Sequence, residues 1–347
     1  MNIITPLSRI EELEPLLAAG ADELYCSVVP RDWKAKFKSS AVSRRLFSSL
    51  ADESDLELAI AGSAARGKAI SLVLNAQHYT SEQIDCLLQL ARRFAAMGGH
   101  AVIVADPMLL SLIATELPAL AIHLSSVASC RNAESSAFFR QLGVTRVIFP
   151  RDMTLAEMAR ISKASHNLTF EAFVLNDGCV FEEGVCHSIH LPAQLGGAIC
   201  MDKYGYRYAR TDGQRLDSFE EAALATNDEQ YQRWLWHRFS NGFSVTPEGY
   251  SFGPCGLCAL PRLRQAGISA IKIAGRDAPL ARKLKSVELV RRVRDRMDEA
   301  KPEIDLMSFA QGARGESYRC QDGRFCYYPE VMRGYGGSRP AIIARGR

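Results

Sequence analysis

Residues 80–105 read TSEQIDCLLQLARRFAAMGGHAVIVA, and the two halves follow different periods. From Ser81 to Met97 the apolar Ile84, Leu87, Leu88, Ala91 and Phe94 recur at helical spacing, so one stripe of a helix can be buried while the other face stays in water. Thr80 and Gln83 stand three positions apart, as in a capping box. Gly98–Gly99 then supply the stop. The run 101–105 that follows is short and β-branched, which predicts a strand. A helix feeding a strand through a tight stop is the repeating unit of a parallel α/β sheet.

The same rhythm extends in both directions. Strands are predicted at residues 2–5, 23–28, 70–75, 101–105, 121–125, 145–149 and 169–175, and an eighth at 270–274 follows a long excursion. Further helices fit residues 8–19, 133–142 and 155–163. Eight strands in this order predict a TIM-like (β/α) barrel, closed or incomplete, with a doubly wound open sheet as the alternative. In a barrel the chemistry sits beyond the carboxyl ends of the strands. That geometry nominates Cys26, Asn75, Asp106, Ser125, Arg151, Asn176 and Arg276. Asp106 before Pro107 also suits a helix cap, and Cys26 also suits core packing.

The chain has 347 residues, 47% hydrophobic and 23% charged, which excludes a disordered or fibrous protein. Forty-two basic against thirty-nine acidic side chains leave a formal charge of +3, too small for a strong nucleic-acid footprint over the whole surface. The first fifteen residues hold no apolar signal core, and the apolar region 101–124 is broken by Asp106, Pro107, Glu116 and Pro118. A cytoplasmic protein without a membrane span is expected.

Residues 1–300 are read as the barrel, with an insertion at about 200–252 forming a subdomain or lid, and 301–347 as a C-terminal extension that looks loosely folded. Within the insertion, Arg233–Trp234–Leu235–Trp236–His237–Arg238 could stack a planar substrate or nucleobase, or form an amphipathic helix with its tryptophans docked.

Ten cysteines are many for a cytosolic chain, where thiols stay reduced. Cys179 and Cys186 lie in EAFVLNDGCVFEEGVC directly after a predicted strand, Cys200 follows, and Cys255 and Cys258 sit in GPCGLC before the last one. Thiolates on such loops can converge at one mouth. Four would hold a [4Fe–4S] cluster or a structural zinc. Only one close CxxC pair is present among these five, which favours iron–sulfur over zinc.

These residues resemble peptidase family U32, the collagenase-like peptidases. The family signature is a Glu-x-Phe strand leading to Cys, four residues, Gly, one residue and Cys, and Glu171, Phe173, Cys179, Gly184 and Cys186 fall in place. Gly20–Tyr25, the IHLSS segment with Asn132, Leu142–Met158 and Leu263–Arg276 are similar to further family blocks, so the resemblance runs from about residue 3 to 295. It implies a [4Fe–4S] cluster on Cys179, Cys186, Cys200 and Cys255, with Cys258 able to replace the last. It also implies oxygen-independent hydroxylation of ubiquinone precursors or RNA bases, with prephenate as hydroxyl donor. Three departures point to a divergent substrate, or to a subunit that binds a cluster without performing the standard reaction: Asn176 and Asp177 in place of a small Gly–Ala pair, Ala274 in place of a glutamate, and a changed segment His123–Val127. Cys320 and Cys326 lie outside the family core and with Cys258 could build a second metal site.

The leading functional expectation is a cluster-dependent enzyme that hydroxylates or otherwise modifies a small aromatic or heterocyclic substrate, Arg151 and Arg276 gripping donor carboxylates. Four thiolate ligands would leave no iron open and favour electron transfer, whereas three would allow direct substrate chemistry. RNA-base hydroxylation is an alternative, with Arg233, Arg238 and the basic tail as contacts. Peptidase activity is another; no His-Glu-x-x-His or Gly-x-Ser-x-Gly element is present, and Cys179 with His187 or His190 is the pair it would need. A last alternative is a non-catalytic cluster-binding subunit that works with a paralogous partner.

Overall fold

The computed structural model describes residues 1–38, 41–44, 48–179, 182–186, 207–239, 253–299, 303–315, 320 and 325–333, with backbone alone at 233–239, 303, 304 and 333. Eight strands run in sequence order around a closed barrel. They are β1 Asn2–Pro6, β2 Glu23–Cys26, β3 Ala69–Leu74, β4 Ala101–Val104, β5 Ala121–Leu124, β6 Arg146–Ile148, β7 Thr169–Leu175 and β8 Ala270–Ile273. All neighbours pair in parallel, and β8 bonds to both β7 and β1. The barrel is therefore shut, and the open-sheet alternative is set aside.

Helices cover the outside as the sequence predicts. Ser81–Ala96 begins with the capping box of Thr80 and Gln83, and Leu155–Ala164 begins with a second one from Thr154 and Glu157. The predicted helix at 8–19 is split into a 3-10 turn, Ile10–Glu12, and an α-helix, Leu13–Ala19. Glu12 is turned inward there: its carboxylate accepts from the Ser8 amide at 3.0 Å and from Lys283 Nζ at 2.7 Å, and a buried charge needs both partners.

The barrel interior is less apolar than its strands suggest. Arg146 pairs with Glu23 at 2.6 Å and Glu171 at 3.5 Å, and Lys272 Nζ donates to Glu171 Oε1 at 2.6 Å. Each charge occupies a single inward position in an otherwise apolar strand, where alternation sends its neighbours to the helix-facing core.

The excursion between β7 and β8 carries the helix Ser218–Phe239, so Arg233 to Arg238 lie on a helical backbone. No described helix is long and apolar enough to cross a membrane. Part of the C-terminal extension expected to be loose is packed instead. Leu306 and Ala310 are buried where the helix Glu303–Arg314 lies against Leu280–Asp298, and Tyr327, Tyr328 and Val331 are buried as well.

Candidate active site at the barrel mouth

Beyond the carboxyl ends of the strands lies a cavity of about 90 Å³. Its walls carry four cationic side chains, Arg44, Arg151, Lys272 and Arg276, against two carboxylates, Asp177 and Glu183. With Lys272 paired to Glu171 and Arg151 to Glu183, a net positive surplus remains, which suits an anionic group such as a carboxylate or a phosphate.

Arg151 follows β6 and is held on three sides. Its Nε donates to the Asp177 carbonyl at 2.9 Å, its guanidinium carbon lies 3.8 Å from the centroid of the Phe173 ring, and Nη1 pairs with Glu183. Burial works against its charge, but Glu183, Tyr327 and Cys179 outweigh that and hold its pKa above the usual arginine value. Arg276 donates to Ser27 Oγ at 3.0 Å and Ser43 Oγ at 3.1 Å. Arg44 donates from its backbone amide to Asn75 Oδ1 at 3.2 Å and from its guanidinium to the Glu183 carbonyl. Asn75 Nδ2 in turn donates to Ser125 Oγ at 3.0 Å. The arginines are thus fixed by neutral oxygens as well as by carboxylates, which preorganises them at little cost in side-chain entropy on binding.

Lys272 reaches the cavity floor from β8. Burial pulls its pKa below the ordinary lysine value while Glu171 opposes the fall. Its Nζ also lies 4.0 Å from the centroid of the Tyr25 ring, a cation–π contact in a site shielded from water.

The turn after β7 aims Cys179 into this cavity. It is made by consecutive left-handed residues, Asn176 at φ 67° and Asp177 at φ 41°. Asn and Asp tolerate that region better than other side-chain-bearing residues. The signature Gly184 has a close-approach requirement: a Cβ there would collide with the Ser129 hydroxyl and the Val127 carbonyl.

Of the nominated mouth residues, Asn75, Ser125, Arg151 and Arg276 line the cavity. Cys26 does not. It is fully buried in the core, and burial pushes its thiol up to about 12. Asp106 caps the helix Pro107–Glu116, accepting from the Met108 and Leu109 amides at 2.9 Å each. Asn176 lies beneath the turn, its Nδ2 donating to Ser286 Oγ at 3.0 Å. Arg44, Lys272 and Glu183 were missed; Lys272 sits in the Leu263–Arg276 block, which was the available signal.

The cysteines divide between two places. Cys179 lines the mouth beside cationic Arg151, and Cys186 closes the 3-10 turn Glu183–Val185. Cys255 lines a different, smaller cavity with Cys258, Cys320 and Cys326. Cys200, His187 and His190 lie outside the described residues, as do the side chains of Arg233 and Arg238.

A family model described as peptidase family U32 matches residues 8–331. The curated relatives include tRNA hydroxylation protein P of Escherichia coli K12, 27% identical over 185 residues, which are 53% of this chain and 38% of that protein. The protein of the same name from Haemophilus influenzae is 26% identical over the same shares. The 23S rRNA 5-hydroxycytidine C2501 synthase of E. coli is 29% identical over 38% of this chain and 20% of that protein. The matched region is thus well under half the length of these relatives. Among solved structures, a U32 peptidase aligns at 16% identity and a TM-score of 0.42, over 53% of this chain and 75% of that one.

Proposed function

The chain belongs to peptidase family U32, and from that premise we propose that it takes part in oxygen-independent hydroxylation of an RNA base. The observation that carries this reading is the cationic mouth cavity around Arg151, in a chain whose curated relatives are named for hydroxylating tRNA and rRNA. RNA stands ahead of a small aromatic molecule as the substrate in this reading because the curated relatives are named for tRNA and rRNA hydroxylation, and a small net charge does not exclude local phosphate contacts.

In this reading Arg151 and Arg276 bind the carboxylates of a hydroxyl donor of the prephenate type. A guanidinium fork meets a carboxylate with two parallel hydrogen bonds, so two such forks fix both the position and the rotation of a dicarboxylate. Glu183 holds Arg151 in place, Ser27 and Ser43 hold Arg276, and Phe173 supplies a flat wall. An iron–sulfur cluster, which supplies one-electron transfer, would be held at the mouth by Cys179, Cys186 and Cys200, with Cys255 the fourth ligand that the family resemblance implies.

The test is nucleoside mass spectrometry of tRNA and rRNA from a strain lacking the gene, grown without dioxygen. The reading expects a nucleoside carrying one extra oxygen atom to disappear and to return with the wild-type chain but not with Arg151→Ala. Unchanged nucleosides in the deletion strain overturn it.

A further inference from the structure

Two further segments are layered on the end of β7. The Asn176 amide donates to the Pro254 carbonyl at 3.1 Å and the Gly256 amide to the Val174 carbonyl at 2.7 Å, so residues 254–256 lie along the strand end. Between them Cys255 turns its backbone groups the other way, as alternation requires. Its amide donates to the Phe325 carbonyl at 2.8 Å, and its carbonyl accepts from the Tyr327 amide at 2.9 Å. This pairing brings Tyr327, from the C-terminal extension, back to the turn after β7. The residue is buried, and its hydroxyl donates to the Asn176 carbonyl and to the Asp177 carbonyl at 3.1 Å.

That turn needs such a restraint. Asn176 and Asp177 are consecutive left-handed residues, and backbone of this kind persists only where its surroundings over-determine it. The Asp177 carbonyl also accepts from Arg151 Nε at 2.9 Å, so Tyr327 and Arg151 meet at one oxygen. The Tyr327 ring lies against the Phe173 ring, centroids 6.3 Å apart and planes 27° from parallel, and Phe173 is the ring on which the Arg151 guanidinium rests. Burial raises the Tyr327 phenol above its ordinary pKa while Arg151 opposes the rise. The hydroxyl therefore keeps its proton and remains a donor.

We propose that Tyr327 is a positioning residue of the mouth. Through the Asn176 and Asp177 carbonyls it fixes both the turn that presents Cys179 and the oxygen that orients Arg151, so the C-terminal extension completes the anion site of the barrel. The part of the proposal that concerns a hydroxyl donor rests on the function proposed above. Tyr327 does not line the cavity; it acts through groups that do. Glu330, from the same segment, adds a second hold, accepting from the Leu155 amide at 2.7 Å where the helix after Arg151 begins. A guanidinium fork left free to wander loses the preorganisation on which two-point carboxylate binding depends.

The next residue supplies the comparison. Tyr328 donates its hydroxyl to the Phe173 carbonyl at 2.7 Å, so it ties the same extension to the strand and not to the turn. Gly256 permits this approach, because a Cβ there would stand 2.8 Å from the Tyr328 ring. Tyr327→Phe and Tyr328→Phe each delete one buried hydroxyl and keep the ring. A merely structural role for Tyr327 would make the two variants alike.

The experiment compares wild type with these two variants, as full chains purified anaerobically, in two measurements. Deuterium exchange at the amides of residues 176–179 requires neither donor nor RNA, so it reads the proposal whether or not hydroxylation is found. Exchange about 10-fold faster in Tyr327→Phe, the scale of one lost hydrogen bond, and close to wild type in Tyr328→Phe is expected. The second measurement is RNA hydroxylation against prephenate concentration. Tyr327→Phe should raise the half-saturating concentration about 10-fold and leave the rate at saturation near wild type, the mark of weakened binding, while Tyr328→Phe leaves both unchanged. Wild-type exchange in Tyr327→Phe, or equal changes in the two variants, would overturn the proposal, and faster exchange with an unmoved half-saturation would overturn its claim on Arg151. The expected exchange in a chain that hydroxylates no RNA would support the positioning of the turn and contradict the proposed function alone.

Discussion

The guanidinium carbon of Arg151 lies 3.8 Å from the centroid of the Phe173 ring, so the strand that carries the family signature also supplies the face on which a cation of the mouth rests. Phe173 is two residues from Glu171, which pairs with Lys272 at 2.6 Å. Alternate residues of β7 thus set two of the four cationic groups of the cavity.

Arg151→Lys keeps the charge and loses the planar fork and the stacking. The hydroxylated nucleoside should fall about 10²-fold, the usual scale for losing one charge-stabilising donor, with thermal stability close to wild type. Nucleoside mass spectrometry of the complemented strain, alongside a melting curve of the purified variant, measures both.

Lys272→Met strands the Glu171 carboxylate, which then has only Arg146 at 3.5 Å. A loss of about 3–5 kcal/mol is expected. The double variant Lys272→Met/Glu171→Leu should be more stable than the single one, since it removes the unpaired charge. Urea unfolding of the four chains of this cycle gives the coupling directly, and strict additivity would speak against the pair.

Asn176 stands at φ 67°. Asn176→Val and Asn176→Gly both lose the bond to Ser286, but only Val is forced into a region hostile to β-branched residues. The Val variant should therefore be less stable than the Gly variant by about 1–3 kcal/mol, a difference that denaturant unfolding resolves.

The strand sequence was legible because each strand is a short β-branched run and each helix a clean stripe with its own cap; Thr80 with Gln83 and Thr154 with Glu157 both behave as their spacing says. What composition could not reveal was the inward set of Glu23, His123, Arg146, Glu171 and Lys272. One polar residue in an apolar run reads as an interruption until closure brings five such interruptions inside. At the site, Arg151, Arg276, Asn75 and Ser125 follow from the rule that barrel chemistry gathers at strand ends. Arg44 does not, because it reaches the cavity from a loop with no motif. Cys26 sits at a strand end too, but faces the core, since alternation and not position along the strand decides which way a side chain points. The C-terminal extension looked loose from its Gly and Arg content, yet Tyr327 and Tyr328 anchor it through hydroxyl bonds to β7 and the turn that follows.

His123 is buried in the barrel, and burial, with help from Arg146, His100 and Lys272, pulls its pKa well below the ordinary 6.5. The unfolded chain therefore binds a proton that the folded chain refuses, and stability is lost as pH falls below about 6.5. Comparing unfolding at pH 7.5 with pH 5.5 should show a larger loss in wild type than in His123→Asn. Equal losses would assign the acid sensitivity elsewhere.

The proposed role of the cationic mouth is to bind a hydroxyl donor for an RNA base without dioxygen. It is tested most directly by incubating the anaerobically purified chain with an electron donor, heavy-oxygen-labelled prephenate and RNA from the deletion strain, then measuring the label in the nucleosides. Label in one hydroxylated base, abolished by Arg151→Ala and by Cys179→Ser, is the predicted result. Unlabelled RNA from a chain carrying its full complement of iron would contradict it.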